Sequence, residues 1–329
     1  MRVLTALLLL LLMALPAQAA SPIPNISGMP WPSGMVTTDQ AAAETWRGRR
    51  FDVTTTYFGM LNWQHIADSA GGLDRLLSTG STVVIAMPLL PRDHFGEIAA
   101  CAAGSFDAQI AVVRTRMMAA LARSGRPTAQ LVLRLGWEAN RLSGPGGYPW
   151  QATDPVAWVG CWQRWAAILN PTGVAKSFIL VWNMSNRGTI PYPIARMYPG
   201  DAIVDIIGSQ FYDRCPPATD ATTWNKVMWA KDRQGNPGSP GQWLSFARYH
   251  KKPYAVPEWG VGGTTTVCAR PGTDNAYFVG RWYAWLLANA ADIAFESYFN
   301  GEDGAGEGNH TLYPSGAWPL ASTEYRARW

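Results

Sequence analysis

Residues 131–140 read LVLRLGWEAN, an apolar run of strand length that closes on a carboxylate, Glu138. Side-chain alternation along such a strand points Arg134, Gly136 and Glu138 to one face. A run of the same kind, YAVPEWGVG at 254–262, sets Glu258 at the equivalent position. Around these two, short apolar stretches rich in β-branched and aromatic residues recur at 26–31, 51–59, 82–90, 130–137, 178–183, 203–212, 253–258 and 293–299. Helix-like stretches separate them at 38–46, 72–77, 107–123, 154–169, 194–197, 241–249 and 275–289. The clearest of these carries Ile110, Val113, Met117, Met118 and Leu121 at helical spacing. This alternation predicts a single-domain α/β fold, the (β/α)8 or TIM barrel, for which about 250 residues plus loop insertions is typical. The extra length falls at 91–106, 140–153, 213–242 and 300–315, where strands hand over to helices, and in a barrel those loops share the catalytic face. A doubly wound open sheet is the alternative; it would carry a Gly-rich phosphate turn after its first strand, which this sequence lacks.

The N-terminus adds a second organising signal. Met1 and Arg2 precede an apolar run at 3–15 and then Pro16, Ala17, Gln18, Ala19 and Ala20, the pattern of a secretory signal peptide cleaved after Ala19. That run is too short for a membrane span of roughly 20 residues. The expected division is therefore a signal peptide over 1–19 and a catalytic domain over 20–329, secreted or periplasmic and free of the membrane after cleavage. Cys101, Cys161, Cys215 and Cys268 form an even set in an oxidising compartment, so two disulfides are expected. Loops after strands six and seven are neighbours on a barrel, which pairs Cys215 with Cys268 and leaves Cys101 for Cys161. The absence of a CxxC pair and the scatter of His65, His94, His250 and His310 argue against a metal.

Composition excludes other classes. With 48% hydrophobic and 15% charged residues the chain is globular. Its net charge of +4, scattered along 329 residues, does not form the basic stripe of a nucleic-acid binder and makes polyanions poor candidate partners. Its 17 Trp, 12 Tyr and 10 Phe suit stacking on the apolar faces of sugar rings, alongside ordinary core filling.

A carboxylate at the tip of an apolar barrel strand reads as catalytic, with an ion pair to Arg134 as the competing explanation. Two of them, on strands four and seven, suit glycoside hydrolysis, one as general acid/base and one as nucleophile. Rival chemistries lack their parts: the chain has no GxSxG elbow, no GxxxxGK[ST] loop and no HExxH helix.

These residues resemble glycoside hydrolase family 26 of clan A, whose members are mostly secreted endo-β-mannanases with relatives acting on other β-glycans. RLGWEAN at 134–140, followed by GYPW at 147–150, is similar to the family run R-x-x-H-E-x-N with its tryptophan-bearing loop. Glu258-Trp259-Gly260 is similar to the E-F-G of strand seven, Tyr212 in SQFYD to the tyrosine of strand six, and VWNMSN at 181–186, with Trp182 and Asn186, to W-x-x-S-P-N. The resemblance implies Glu138 as acid/base, Glu258 as nucleophile oriented by Tyr212, and a role for Asn140. One position departs: the family histidine before the acid/base is Trp137 here.

The expected function is a secreted, retaining endo-β-glycanase acting on β-mannan or a related β-linked polysaccharide, without a cofactor and as a monomer. Expected substrate-binding residues are Arg134, Trp137, Asn140, Tyr212 and three stacking platforms, Trp63, Trp150 and Trp182. The alternatives are a non-catalytic glycan-binding barrel, favoured by Trp137, and a hydrolase of the organism's own exopolysaccharide.

Overall fold

A strand that is apolar on both faces stays dry only if another layer covers each face. Thr82–Met87, Leu131–Leu135 and Phe178–Met184 are buried at every position and are of that kind. The computed structural model, which describes residues 21–126, 130–213, 217–262, 274–302, 308–314 and 318–329, covers them by closing a barrel. Its strands are β1 (Ser33–Val36), β2 (Val53–Tyr57), β3 (Thr82–Met87), β4 (Leu131–Leu135) and β5 (Phe178–Met184). They continue with β6, in two pieces (Ile206–Ser209 and Phe211–Tyr212), β7 (Tyr254–Gly260) and β8 (Ile293–Phe299). Every pairing is parallel. β1 registers on β8 from Ser33 opposite Glu296, and Ile207 and Gly208 of β6 register on Tyr254 and Ala255 of β7, so the ring is complete.

Alternation divides the apolar residues into two sets. Val53, Val84, Val132, Val181, Ile206 and Ala255 form one cluster with Ile23, filling the lumen. Leu131, Leu133 and Leu135 belong to the larger cluster between strands and helices. The outer helices include Gln40–Arg47, Leu73–Leu77, Asp107–Arg123, Pro155–Leu169, Pro240–Tyr249 and Ala276–Ala288, close to the spans their periodicity predicts. The expected helix at 194–197 is a single 3-10 turn, Ile194–Met197. Four helices escaped the sequence reading: Trp63–Asp68, Ile98–Ala102, Ala221–Met228 and Pro319–Arg328. Two of these start on side-chain caps visible in the sequence, Asn62 accepting from the His65 amide and Asp220 from the Thr223 amide.

The first strand is corrected. Residues 26–31 form no strand; Pro30 and Pro32 cannot donate to a ladder. The amides of Ile26, Ser27 and Ser33 instead converge on the buried Asp52 carboxylate. The strand proper is the short SGMV of β1, where a Cβ on Gly34 would collide with the Val53 carbonyl of β2. Glycine therefore allows β1 to approach β2 closely, and it weakens the very β-signal a sequence reading relies on.

Cys101 and Cys161 form the expected disulfide, joining helices Ile98–Ala102 and Pro155–Leu169 across a Cα separation of 5.0 Å. The expected Cys215–Cys268 pair and the signal peptide over 1–19 lie outside the described residues. The closed bridge spans 60 positions of chain. Replacing both partners in Cys101→Ala/Cys161→Ala is expected to cost about 2–4 kcal/mol of unfolding free energy, measured by urea denaturation, because the unfolded chain regains that loop's freedom.

Candidate active site

The lumen changes character as it rises. Above its valine layer the inward positions become polar: Thr55 on β2, Arg134 on β4, Asn183 on β5, Glu258 on β7 and Ser297 on β8. Thr55 and Ser297, on the two strands that flank β1, hydrogen-bond to each other at 3.1 Å. Arg134, wholly buried, donates Nε to Asn183 Oδ1 at 2.8 Å and Nη2 to Glu258 Oε1 at 2.5 Å. Its ion pair is thus with Glu258 across the barrel and not with Glu138, which follows it in sequence.

Glu258 reaches this position through an irregularity in β7. Val256 registers on Glu296 of β8 and Trp259 on Tyr298, three residues against two, so β7 carries one extra residue there. Such a bulge re-aims a side chain: Val256 and Trp259 both pack outward, and Glu258, 8% exposed, turns into the mouth. Tyr212, on the second piece of β6, donates its hydroxyl to Glu258 Oε2 at 2.9 Å, and Tyr57 at the tip of β2 lies close to the same carboxylate. Burial by itself would raise this carboxyl; the Arg134 guanidinium first, and the hydroxyls of Tyr57 and Tyr212 with it, outweigh burial and hold Glu258 below the usual carboxylate range.

Glu138 arrives differently from expectation. β4 ends at Leu135, and the chain then turns through left-handed backbone at Gly136 (φ 61°) and Glu138 itself (φ 55°), so strand alternation does not place the side chain. A left-handed non-glycine residue costs about 1–3 kcal/mol and persists where its neighbours over-determine it. Here the Glu138 amide donates to the Asn183 carbonyl at 2.9 Å, and Asn140 clamps both the amide and the carbonyl of Ser185 at 2.8 Å. Asn140 is accordingly buried and ties the fourth loop to the fifth. The Tyr148 hydroxyl lies 3.4 Å from Glu138 Oε2 and accepts the Trp137 indole N–H at 3.1 Å. Burial first, and the charge of Glu258 second, push Glu138 above the usual carboxylate range.

A cleft of about 980 Å³ opens over these groups, with Trp137, Glu138, Tyr148, Tyr212 and Glu258 in its wall and Tyr57 and Phe299 beside them. Arg134, Trp137, Glu138, Tyr212 and Glu258 are therefore brought together. The three expected platforms are not. Trp182 alternates outward between Val181 and Asn183 and is fully buried against Tyr198, Trp243 and Phe246. Trp150 is fully buried beneath Tyr148, stacked at 4.7 Å, with its indole N–H on the Trp137 carbonyl. Trp63 packs among outer helices, on Trp165 and Phe106. Each has an apolar face with a core to bury it in, and burial of a large ring outweighs exposure to a cleft.

Sequence reasoning missed Tyr57 and Tyr148. Tyr57 ends β2 inside a run that is mostly threonine and carries no carboxylate, so nothing local marks it; Tyr148 stands inside GYPW at 147–150, next to the more conspicuous Trp150. Among the described residues no cluster of His, Cys, Asp and Glu could hold a metal, and no helix is long and apolar enough to cross a membrane.

No family model and no curated protein matches the sequence. Solved structures do match. The modular endo-β-1,4-mannanase of Cellulomonas fimi, from glycoside hydrolase family 26, is similar over 92% of this chain and 71% of its own, with a TM-score of 0.63 and 17% identity. The GH26C protein of a Muricauda species is similar over 90% and 84% (TM-score 0.62, 14% identity), and the YdhT protein of Bacillus subtilis over 91% and 85% (TM-score 0.59, 14% identity). The chain has the fold of the family 26 glycoside hydrolases.

Arg134→Met provides a test of the site's electrostatics. With the cation, Glu258 has a depressed pKa and contributes stability that is present above its unfolded pKa and lost as pH falls through the folded one. Without it, burial of the carboxylate is opposed only by its tyrosine neighbours and no longer by a cation, so the variant is expected to lose about 3–5 kcal/mol near neutral pH. That deficit should shrink in acid as Glu258 takes up a proton. Urea unfolding at a series of pH values measures it; a deficit that does not change with pH would contradict the pairing.

Proposed function

We propose that this chain is a retaining β-glycan hydrolase, exported and monomeric, cleaving within a β-linked polysaccharide of the mannan type. One observation carries the reading: two carboxyl groups line one cleft, and their surroundings push them in opposite directions, Glu138 up and Glu258 down. That division is what an acid and a nucleophile working at the same pH require. The mannanase activity of structural relatives and the export pattern at the N-terminus support the substrate class and the location, and the Cys101–Cys161 bridge suits an oxidising compartment.

In this reading ionised Glu258 attacks the anomeric carbon while Glu138 delivers its proton to the departing glycosidic oxygen. Tyr57 and Tyr212 hold the attacking carboxylate in place, and Arg134 keeps it charged. Once Glu258 is esterified its negative charge is gone, and with it one of the two causes that raise Glu138. Glu138 can then ionise and take a proton from the incoming water.

Glu258→Ala is expected to abolish turnover on every glycan, whereas Glu138→Ala should still form the glycosyl-enzyme from an aryl glycoside with a good leaving group. Added azide should release that intermediate as the β-glycosyl azide. NMR of the first-formed product should show the anomeric configuration retained; inversion would reject the mechanism, and glycan binding by the native chain without any turnover would favour a binding protein. The pH profile should be bell-shaped, rising as Glu258 ionises and falling as Glu138 loses its proton. Tyr212→Phe removes a hydrogen bond to the ionised nucleophile, so its acid limb should move to higher pH, with kcat/KM lowered about 10-fold.

A further inference from the structure

Positive charge gathers on this cleft in a way the linear sequence conceals. The loops that follow β3, β4, β5 and β6 each contribute one cation to the wall: Arg92, Arg141, Arg187 and Lys226. Because β3 to β6 are consecutive in the ring, the four form an arc along one side of the barrel mouth. Arg92, Arg187 and Lys226 are exposed there. Neither Arg92 nor Lys226 takes part in an ion pair among the described residues.

No exposed acid in the described wall balances Arg92 or Lys226. Its three carboxyl groups are Glu138, Glu258 and Asp213. Glu258 is neutralised by Arg134. Asp213 is 3% exposed, pushed up to about 6 by burial, and engaged with the Ala218 amide and the Asn275 side chain. Glu138 sits above the usual carboxylate range. A neutral mannan offers such an arc only hydroxyl groups and displaces part of the water that solvates it. A chain bearing carboxylates offers each guanidinium an acceptor that its fork fits with two parallel hydrogen bonds.

We infer that the cleft is built for an acidic polysaccharide, one carrying carboxylate groups on its sugars, recognised by Arg92 and Lys226 at the two ends of this arc. The inference rests on the glycan-hydrolase reading for the identity of the cleft and narrows its substrate class. It also revises what scatter in the sequence suggested about polyanions: residues separated by tens of positions converge once the barrel closes.

Binding is tested apart from turnover. The full chain carrying Glu138→Gln is titrated calorimetrically with mannan and glucan oligosaccharides, each in neutral, C6-oxidised and O-sulfated form, at low and at about 1 M salt, where the Debye length falls to about 3 Å. For at least one backbone the oxidised form is expected to bind about 10-fold more tightly than its neutral parent at low salt, with most of that advantage gone at high salt. Arg92→Gln/Lys226→Gln should reduce the oxidised-to-neutral ratio several-fold. Equal or tighter binding of the neutral forms, no binding of any oxidised form, or a ratio unchanged in the double variant would overturn the inference. Sulfated forms binding as tightly as oxidised ones would overturn the assignment to carboxylate. Native chain that prefers oxidised glycans yet hydrolyses none would sustain this inference and defeat the hydrolase reading instead.

Discussion

A guanidinium sealed inside a protein must be matched by acceptors or it costs more than a fold of this size can spare. Arg134 is such a group, and much of the upper barrel is arranged around it. Its Nε takes the Asn183 oxygen of β5 and its Nη2 the Glu258 carboxylate of β7, and its plane approaches the Tyr57 ring of β2 at 5.9 Å. Four strands are thereby fixed relative to one another at the level where the valine layers stop. The same contacts lower the pKa of Glu258, so the group that completes the lumen also favours a charged carboxylate in the cleft.

Two backbone irregularities translate that polar layer into a site. The extra residue in β7 turns Glu258 inward, and the left-handed turn after β4 carries Glu138 over the lip. Neither conformation is comfortable alone. The bulge is held from outside, where the Trp259 indole donates to the buried Glu296 carboxylate, which also receives the indoles of Trp31 and Trp329. The turn is held from the side by Asn140 and Ser185. Support for both backbone turns therefore comes largely from residues behind the cleft wall, Trp259, Glu296 and Asn140, with Ser185 reaching the cleft itself.

The tryptophan content has the same explanation. Trp158, Trp162, Trp165, Trp182, Trp243 and Trp282 are fully buried between strands and helices, where they fill the wedge-shaped gaps a ring of helices leaves around a barrel. Aromatic surface in the cleft wall is left to Tyr57, Tyr148 and Phe299; Trp137, 2% exposed, lies behind them and meets Tyr57 and Tyr148 edge-on. An aromatic-rich composition is thus mostly a statement about the outer shell.

The sequence by itself determined the barrel and its two carboxylates, because both are periodic or local properties: apolar runs of strand length alternate with helix-like stretches down the chain, and an acid at the end of such a run is conspicuous in one dimension. Asp107–Arg123 and Pro155–Leu169 were legible from their own spacing, and so were Glu138 and Glu258 as a pair. β1 was not, since Gly34 and the prolines before it suppress the local signal that tertiary contact with β2 and β8 replaces. Only the closed ring decided that Arg134 serves Glu258, that Trp150 and Trp182 face away from the cleft, that Tyr57 and Tyr148 join it, and that four scattered cations share one wall. Each of these depends on which neighbour a side chain meets across the barrel, and that is set by register and closure between strands far apart in sequence.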